Sequence, residues 1–97
     1  MLATDTTLSI YDIEDRLAEL GYTTSYVGEE HFTSYSIAGD SHMIEILDGV
    51  SGEYFRTEHV TEVNVYIDGR LHETVTKRFE DIETEDGFIE TVKDLLA

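Results

Sequence analysis

The stretch YTTSYVGEEHFTSYSIAGDSHMIEILD, from Tyr22 to Asp48, decides the fold class of this chain. Its apolar and polar residues alternate with a period of two, and it is rich in Tyr, Thr and Ser, a pattern that is typical of half-buried strands. Turn residues at positions 28–29 and 39–40 divide the stretch into three strand candidates, of which the last is HMIEILD. We therefore predict an antiparallel meander in this part of the chain.

The stretch HVTEVNVYIDGRLHETVTKRF, residues 59–79, predicts a hairpin. A two-residue turn at Asp68–Gly69 would set polar residues of the second arm beside valines of the first. A three-residue loop, with Gly69 in the left-handed position of a bulge, would instead pair Val65 with Leu71. We prefer the bulged loop and continue the second arm to the end of the stretch. Before this hairpin, residues 49–52 form a turn, and a short strand at 53–57 stays open.

Helical periodicity is present near both ends of the chain. The first helix has Ser9 as its cap and Gly21 as its end, and its apolar residues recur three and four positions apart, at Ile10, Ile13, Leu17 and Leu20. The last helix has Thr84 as its N-cap, and its apolar stripe consists of Phe88, Ile89, Val92, Leu95 and Leu96. We therefore predict that two helices flank the strands.

These elements predict one α+β domain over residues 1–97, because a chain of this length has room for a single core. We expect an N-terminal helix, an antiparallel meander of four to five strands and a C-terminal helix, with both helices on one sheet face. The absence of Cys excludes disulfides and thiolate sites. Neither a signal peptide nor an apolar run of membrane-spanning length occurs, so we expect a cytoplasmic protein without membrane contact.

The charge is the strongest anomaly of the sequence. Asp and Glu number 22 against 6 Lys and Arg, which gives a formal net charge of -16. On a domain of this size, such a charge costs on the order of 10 kcal/mol in self-repulsion at physiological salt, which is comparable with the stability of a small domain. The charge also repels nucleic acid and anionic lipid, so we expect a basic protein as the partner.

Sequence motifs for catalysis or metal binding are missing. The histidines have no i, i+4 pair on a helix and no HExxH motif, and they are His31, His42, His59 and His72. The glycines at positions 49, 69 and 87 do not fit the sixth position of an EF-hand loop. No GxSxG nucleophile motif and no phosphate-binding glycine loop occurs. We therefore predict a non-enzymatic protein without a metal or a cofactor.

The acids also suggest a binding site. Five acids lie between positions 80 and 86. The presence of Glu85 and Asp86 has a local explanation, because anions stabilise the N-terminus of a helix, whereas the other three acids have no such explanation. Along the first hairpin arm, alternate residues share a face about 6.6 to 6.8 Å apart and form a second acidic row. The candidate partner-binding residues are therefore Glu80, Asp81, Glu83, Glu58, Glu62, Tyr66 and Asp68.

Spaced carboxylates can imitate the phosphates of a nucleic-acid backbone. Our first interpretation is a mimic, an inhibitor that occupies the basic groove of a DNA- or RNA-handling protein without binding nucleic acid itself. In size, acidity and helix-meander-helix outline the chain resembles some phage-borne anti-CRISPR and antirestriction proteins. That resemblance rests on no motif, and it implies action in the cytoplasm of a host cell.

The alternative interpretation is adaptation to high salt, where an excess of carboxylates keeps a protein soluble. The chain would then be a small regulatory or interaction domain whose acidity is environmental. A mimic should concentrate its acids on one face, yet residues 1–48 carry a charge of -9 and residues 49–97 carry -7, so the sequence shows no gross asymmetry. Either protein would be a monomer or a homodimer paired through a strand edge.

Overall fold

The computed structural model describes residues 7–97. In chain order the elements are β1 (Thr7–Ser9), α1 (Ile10–Glu19), β2 (Thr23–Gly28), β3 (Thr33–Ala38), β4 (His42–Leu47), β5 (Val50–Ser51), β6 (Tyr54–Arg56), a 3-10 helix (Thr57–His59), β7 (Glu62–Ile67), β8 (Arg70–Thr74), α2 (Thr76–Glu80) and α3 (Glu85–Leu96). The radius of gyration is 12.5 Å, as expected for a compact chain of this length. Within residues 7–97, no helix is long and apolar enough to cross a membrane.

The main sheet is antiparallel and has five strands in the order β2-β3-β4-β7-β8. Its order follows the chain, apart from an excursion through β5, β6 and the 3-10 helix between β4 and β7. The alternation of the sequence places one set of side chains in the core, namely Tyr35, Ile37, Ile44, Ile46, Val63 and Val65. The predicted α+β class and the predicted meander are therefore confirmed.

Both terminal helices cover this core face, as predicted. In α1, Ile10, Ile13 and Leu17 are buried, but Leu20 is 44% exposed because it already lies at the C-cap. Gly21 follows in the left-handed region with a φ of 90°, which confirms the predicted end of the helix. In α3, the predicted cap is also confirmed, since Thr84 Oγ1 accepts a hydrogen bond from the backbone N–H of Gly87 at 3.0 Å.

A second, small sheet was not anticipated from the sequence. It has three antiparallel strands in the order β1-β6-β5, and it includes the segment 53–57 whose structure the sequence left open. Its buried residues, Val50 and Phe55, extend the core beside the helices. Strands of two or three residues are too short to show a period of two, which is why sequence reasoning missed this sheet.

The predicted register of the β7-β8 hairpin is wrong. The connection is a two-residue turn in which Asp68 and Gly69 have φ values of 52° and 80°, so Ile67 pairs with Arg70. Two consecutive positive φ angles are typical of the turn whose twist matches a hairpin. Polar residues of β8 can lie beside the core strand β7, because every residue of β8 is exposed at the edge of the sheet. A bulge does occur, but it lies within the strands, at Val65/Tyr66.

The predicted length of the second arm is also wrong. The strand ends at Thr74, and the residues that follow form α2. Thr76 Oγ1 accepts a hydrogen bond from the backbone N–H of Val63 at 3.1 Å, so α2 begins beside the first residues of β7. The helical turn carries Phe79 into the core, where its ring centroid lies 5.8 Å from that of Phe88. A continued strand could not have buried Phe79 there, because β8 lies at the outer edge of the sheet.

Candidate functional site

Five of the predicted partner-binding residues lie on or next to elements that pack against one another, namely the 3-10 helix, β7 and α2. Glu58 belongs to the 3-10 helix, Glu62 begins β7, and the other three follow the turn from α2 towards α3. All five side chains are exposed. We call this group the acidic end, and it consists of Glu58, Glu62, Glu80, Asp81 and Glu83.

The local fold explains why the elements that carry these residues come together although they are far apart in the sequence. The 3-10 helix packs against α2, and α2 packs against β7. Two hydrogen bonds hold the start of α2 to the start of β7: Val75 donates its N–H to the carbonyl of Val63 at 2.8 Å, and Thr76 accepts from Val63. The rigid attachment of α2 therefore sets the position of three carboxylates relative to the other two.

The arginines of α1 and α2 form ion pairs with carboxylates of α3. Arg16 of α1 contacts Glu85 at 3.1 Å and Asp86 at 2.6 Å, and Arg78 of α2 contacts Asp94 at 2.7 Å. These carboxylates hold the pKa of Arg16 above its usual value, and the largest cause is the hydrogen bond that Arg16 donates to Asp86. In the described part of the chain, the ion pairs of these arginines therefore leave the carboxylates of residues 80–83 to solvent.

The predicted acidic row along the hairpin arm does not exist as a straight row. Glu58 lies in a 3-10 helix rather than in the strand, and Asp68 lies in the turn at the far end of β7. The N–H of Asp68 donates to the carbonyl of Ser41 at 2.8 Å, which places it next to the β3-β4 turn. Strands of six residues are about 20 Å long. Asp68 is therefore remote from the acidic end.

Tyr66 belongs to a different surface from most of the acids. Its hydroxyl donates to Glu45 Oε1 at 3.4 Å, and the negative charge of Glu45 raises the pKa of Tyr66, with smaller contributions from burial, from this hydrogen bond and from Glu62. Glu62 accepts a hydrogen bond from Asn64 Nδ2 at 2.8 Å, and Asn64 Oδ1 accepts one from Thr74 at 2.8 Å. These bonds join β4 to β7, and β7 to β8, on the outer side of the sheet.

The side of the main sheet that faces away from the helices carries very little charge. We call it the open face, and the register assigns to it Thr23, Ser25, Val27, Ser34, Ser36, Ala38, Met43, Glu45, Leu47, Glu62, Asn64, Tyr66, Leu71 and Thr74. Glu45 and Glu62 are the charged members of this set. One row across the sheet, from Ala38 through Met43 and Tyr66 to Leu71, is mainly apolar, and Leu71 is 59% exposed.

The acids of the chain are therefore unevenly distributed. About half of those in the described residues lie in the helix layer that α1, α2 and α3 form, in α1 and in the segment 80–94. Half of the others lie in turns at the two ends of the main sheet. The open face has two. A sequence signal for this asymmetry exists, since eight of the nine open-face positions of β2, β3 and β4 are uncharged and Glu45 is the one acid among them.

Groups that could support catalysis are sparse in the described residues. A groove of about 500 Å³ is lined by the ends of α1 and α3 and by the β3-β4 turn. Ser41 Oγ and His42 Nδ1 lie 2.9 Å apart in its wall, but within residues 7–97 no carboxylate is bonded to the second ring nitrogen of this histidine. No group of three or more His, Asp or Glu in that range is placed to hold a metal ion.

Comparisons with protein-family models, with curated proteins and with solved structures gave no match to this chain.

Proposed function

We propose that this protein is a non-enzymatic acidic binding module that mimics a nucleic acid and blocks the basic groove of a nucleic-acid-binding protein. The acidic end, together with the exposed acids of the helix layer, would take the place of phosphates. Such an inhibitor would act in the cytoplasm of a host cell if it is phage-borne.

The observation that carries the proposal is the contrast between the acidic end and the open face. Charge that served solubility alone would be expected on every exposed surface. The open face carries two acids, and one of them, Glu62 at the start of β7, already belongs to the acidic end, which carries five carboxylates in all. Long-range attraction by a charge of -16 would accelerate encounter with a cationic groove. Contacts at the acidic end would then decide which groove is bound.

The fixed backbone at the acidic end supports a role in recognition. Because α2 is held to β7 by hydrogen bonds, the carboxylates of residues 80–83 start from a defined position, and little backbone entropy is lost on binding. Each exposed carboxylate can accept two hydrogen bonds from one arginine of the target, in the geometry that phosphates also use. Paired in this way, the carboxylates would slow dissociation as well as speed association.

The test is a comparison of charge-reversal variants as baits. The triple variant Glu80→Lys, Asp81→Lys and Glu83→Lys changes the acidic end, and the matched control Glu29→Lys, Glu30→Lys and Asp40→Lys changes the net charge equally at exposed turns elsewhere. Basic nucleic-acid-binding proteins retained by the wild type would be purified and tested for displacement of a labelled duplex.

We expect the wild type and the control to displace the duplex, and the acidic-end variant to lose at least about 100-fold in affinity while its circular dichroism spectrum is unchanged. Equal losses in both variants would show that only total charge matters. Unchanged affinity in the acidic-end variant would rule out this site.

Adaptation to high salt stays the second candidate, and one observation favours it. Acids occur at both ends of the sheet as well as on both terminal helices, which is a wider distribution than a single groove requires. On that interpretation the acids are environmental, and the low charge of the open face would mark it as the surface with a function.

A further inference from the structure

The edge strand β2 differs from the rest of the surface. It is TTSYVG, six residues without a charge, a proline or a bulge, in a chain of which 29% is charged. Five of its six residues are exposed, and Tyr26 and Val27 are 43% and 45% exposed. Natural sheets commonly protect such an edge with lysine, proline or a bulge, because its free backbone groups can pair with another strand.

The register shows which backbone groups of β2 are free. In the β2-β3 turn, Glu29 donates its N–H to the carbonyl of Phe32 at 2.8 Å, so these two residues form a hydrogen-bonded pair. Bonded and non-bonded pairs alternate along an antiparallel ladder. Thr24, Tyr26 and Gly28 are therefore in the non-bonded positions opposite β3, and their N–H and C=O groups point away from the sheet.

The opposite edge of the sheet is protected by comparison. The strand β8 carries Arg70 and Glu73 and is interrupted opposite Val65/Tyr66 by the bulge. Charged side chains and a bulge both disfavour pairing with a further strand. The sheet therefore has one edge that resists extension and one edge that favours it.

We propose that β2 pairs in antiparallel fashion with β2 of a second copy of this chain, and that two five-stranded sheets join into one. The free groups are spaced symmetrically about Tyr26, so Tyr26 would lie opposite the partner's Tyr26, and Thr24 would lie opposite the partner's Gly28. This register forms about six backbone hydrogen bonds and leaves none of the six free groups unpaired.

A second copy fits this edge better than a charged segment of another protein. The side chains brought opposite one another are Tyr, Thr, Ser, Val and Gly, and no acid faces an acid across the pairing. The ring of Tyr26 already lies over Gly28 on its own strand, since a Cβ added at Gly28 would be 3.0 Å from the Tyr26 hydroxyl. In the proposed dimer, the ring of Tyr26 would lie beside the ring of the partner's Tyr26 and would cover the backbone of its own strand at Gly28.

Salt gives the proposal a distinctive signature. Each copy carries a charge of -16, so the two copies repel each other at low ionic strength, and added salt strengthens the dimer. Binding of a basic target to the acidic end has the opposite dependence, because salt screens that attraction. Failure of one proposal can therefore be told apart from failure of the other.

The experiment is sedimentation equilibrium of the purified chain at concentrations from about 5 to 500 µM, in about 0.15 M and about 2 M KCl. We expect a mass of twice 11.0 kDa to appear with rising concentration, and the dissociation constant to fall by at least about tenfold at the higher salt. A mass of 11.0 kDa under all these conditions would overturn the proposal and leave the edge to a strand of a different protein.

The variant Tyr26→Pro tests the pairing itself. It removes an N–H that points away from β3, so the hydrogen bonds between β2 and β3 are kept. The control Tyr26→Ala keeps that N–H and removes only the ring. We expect Tyr26→Pro to associate at least about tenfold more weakly than Tyr26→Ala. Equal association of the two folded variants would overturn the proposed pairing.

Hydrogen exchange of the wild type gives the same answer without a substitution. The amides of Thr24, Tyr26 and Gly28 should exchange more slowly as the concentration rises, and the amide of Leu71 on the opposite edge should not change. Protection that appears at Leu71 instead would place the contact on the wrong edge.

Discussion

Phe88 of α3 packs edge-on against Phe55 of β6, with ring centroids 4.9 Å apart and planes at 70°. Phe79 of α2 approaches the same ring from another side, at 5.8 Å and 75°. All three side chains are fully buried. Phe88 therefore connects three elements that the sequence does not relate to one another, namely the small sheet, α2 and α3.

We expect Phe88→Ala to lower the free energy of unfolding by about 3 to 5 kcal/mol, because it leaves a cavity where three rings meet. Such a loss is a large part of the stability of a small domain. Urea denaturation monitored by circular dichroism measures it. The control is Leu71→Ala on the exposed strand β8, which should stay within about 0.5 kcal/mol of wild type. A loss below about 1 kcal/mol for Phe88→Ala would contradict this packing.

The two N-caps offer a matched pair of substitutions. Thr84 accepts a hydrogen bond from the N–H of Gly87, whereas Ser9, at the corresponding position of α1, forms no side-chain cap bond. Thr84→Ala should cost about 1 kcal/mol in urea denaturation, and Ser9→Ala should cost a few tenths. The reverse order of these losses would mean that the cap of α3 is not formed as described.

The buried hydroxyl of Tyr35 predicts a pH effect. This hydroxyl lies near Thr24 and Glu14 but makes no hydrogen bond of good geometry with either, and burial raises its pKa above that of an exposed tyrosine. The folded protein therefore keeps a proton that the unfolded chain loses above about pH 10. Stability from this group is complete below that pH and is lost as the pH rises further.

The variant Tyr35→Phe should remove that contribution. We expect its free energy of unfolding at pH 7 to equal or exceed that of wild type, because an unpaired buried hydroxyl is replaced by hydrogen. Between about pH 10 and 11 it should lose less stability than wild type. The comparison needs urea denaturation of both proteins at each pH. A steeper loss in the variant would contradict a raised pKa of Tyr35 in the folded state.

Salt dependence of folding separates the two accounts of the charge. Melting of the protein, followed by far-UV circular dichroism, should be cooperative at about 0.1 M KCl if the acids serve mimicry, because repulsion is then already offset by the core. If the chain is loose at that salt and folds only near about 2 M KCl, the acids are environmental and the mimic should be abandoned.

Local patterns predicted most of the individual elements. The period of two over residues 22–48 and the apolar stripe of the last helix both correspond to elements of the structure, and the positions of Gly21 and Thr84 mark helix boundaries correctly. Each of these signals depends on residues within one or two turns or strands. The arrangement of the candidate binding residues in one row was predicted less well, because alternation along the chain says nothing about where a strand stops.

What the sequence alone determined is the set of local preferences and the charge: which segments alternate, where the two terminal helices begin and end, and how far acids outnumber bases. Tertiary structure decided the rest. Phe79 leaves the strand for α2 because a buried position next to Phe88 is available only there, and β8 can carry Arg70 beside a core strand because the edge of the sheet is exposed. The 3-10 helix that carries Glu58 and the helix α2 that carries Glu80 come into contact for the same reason, since burial of apolar side chains brings distant segments together.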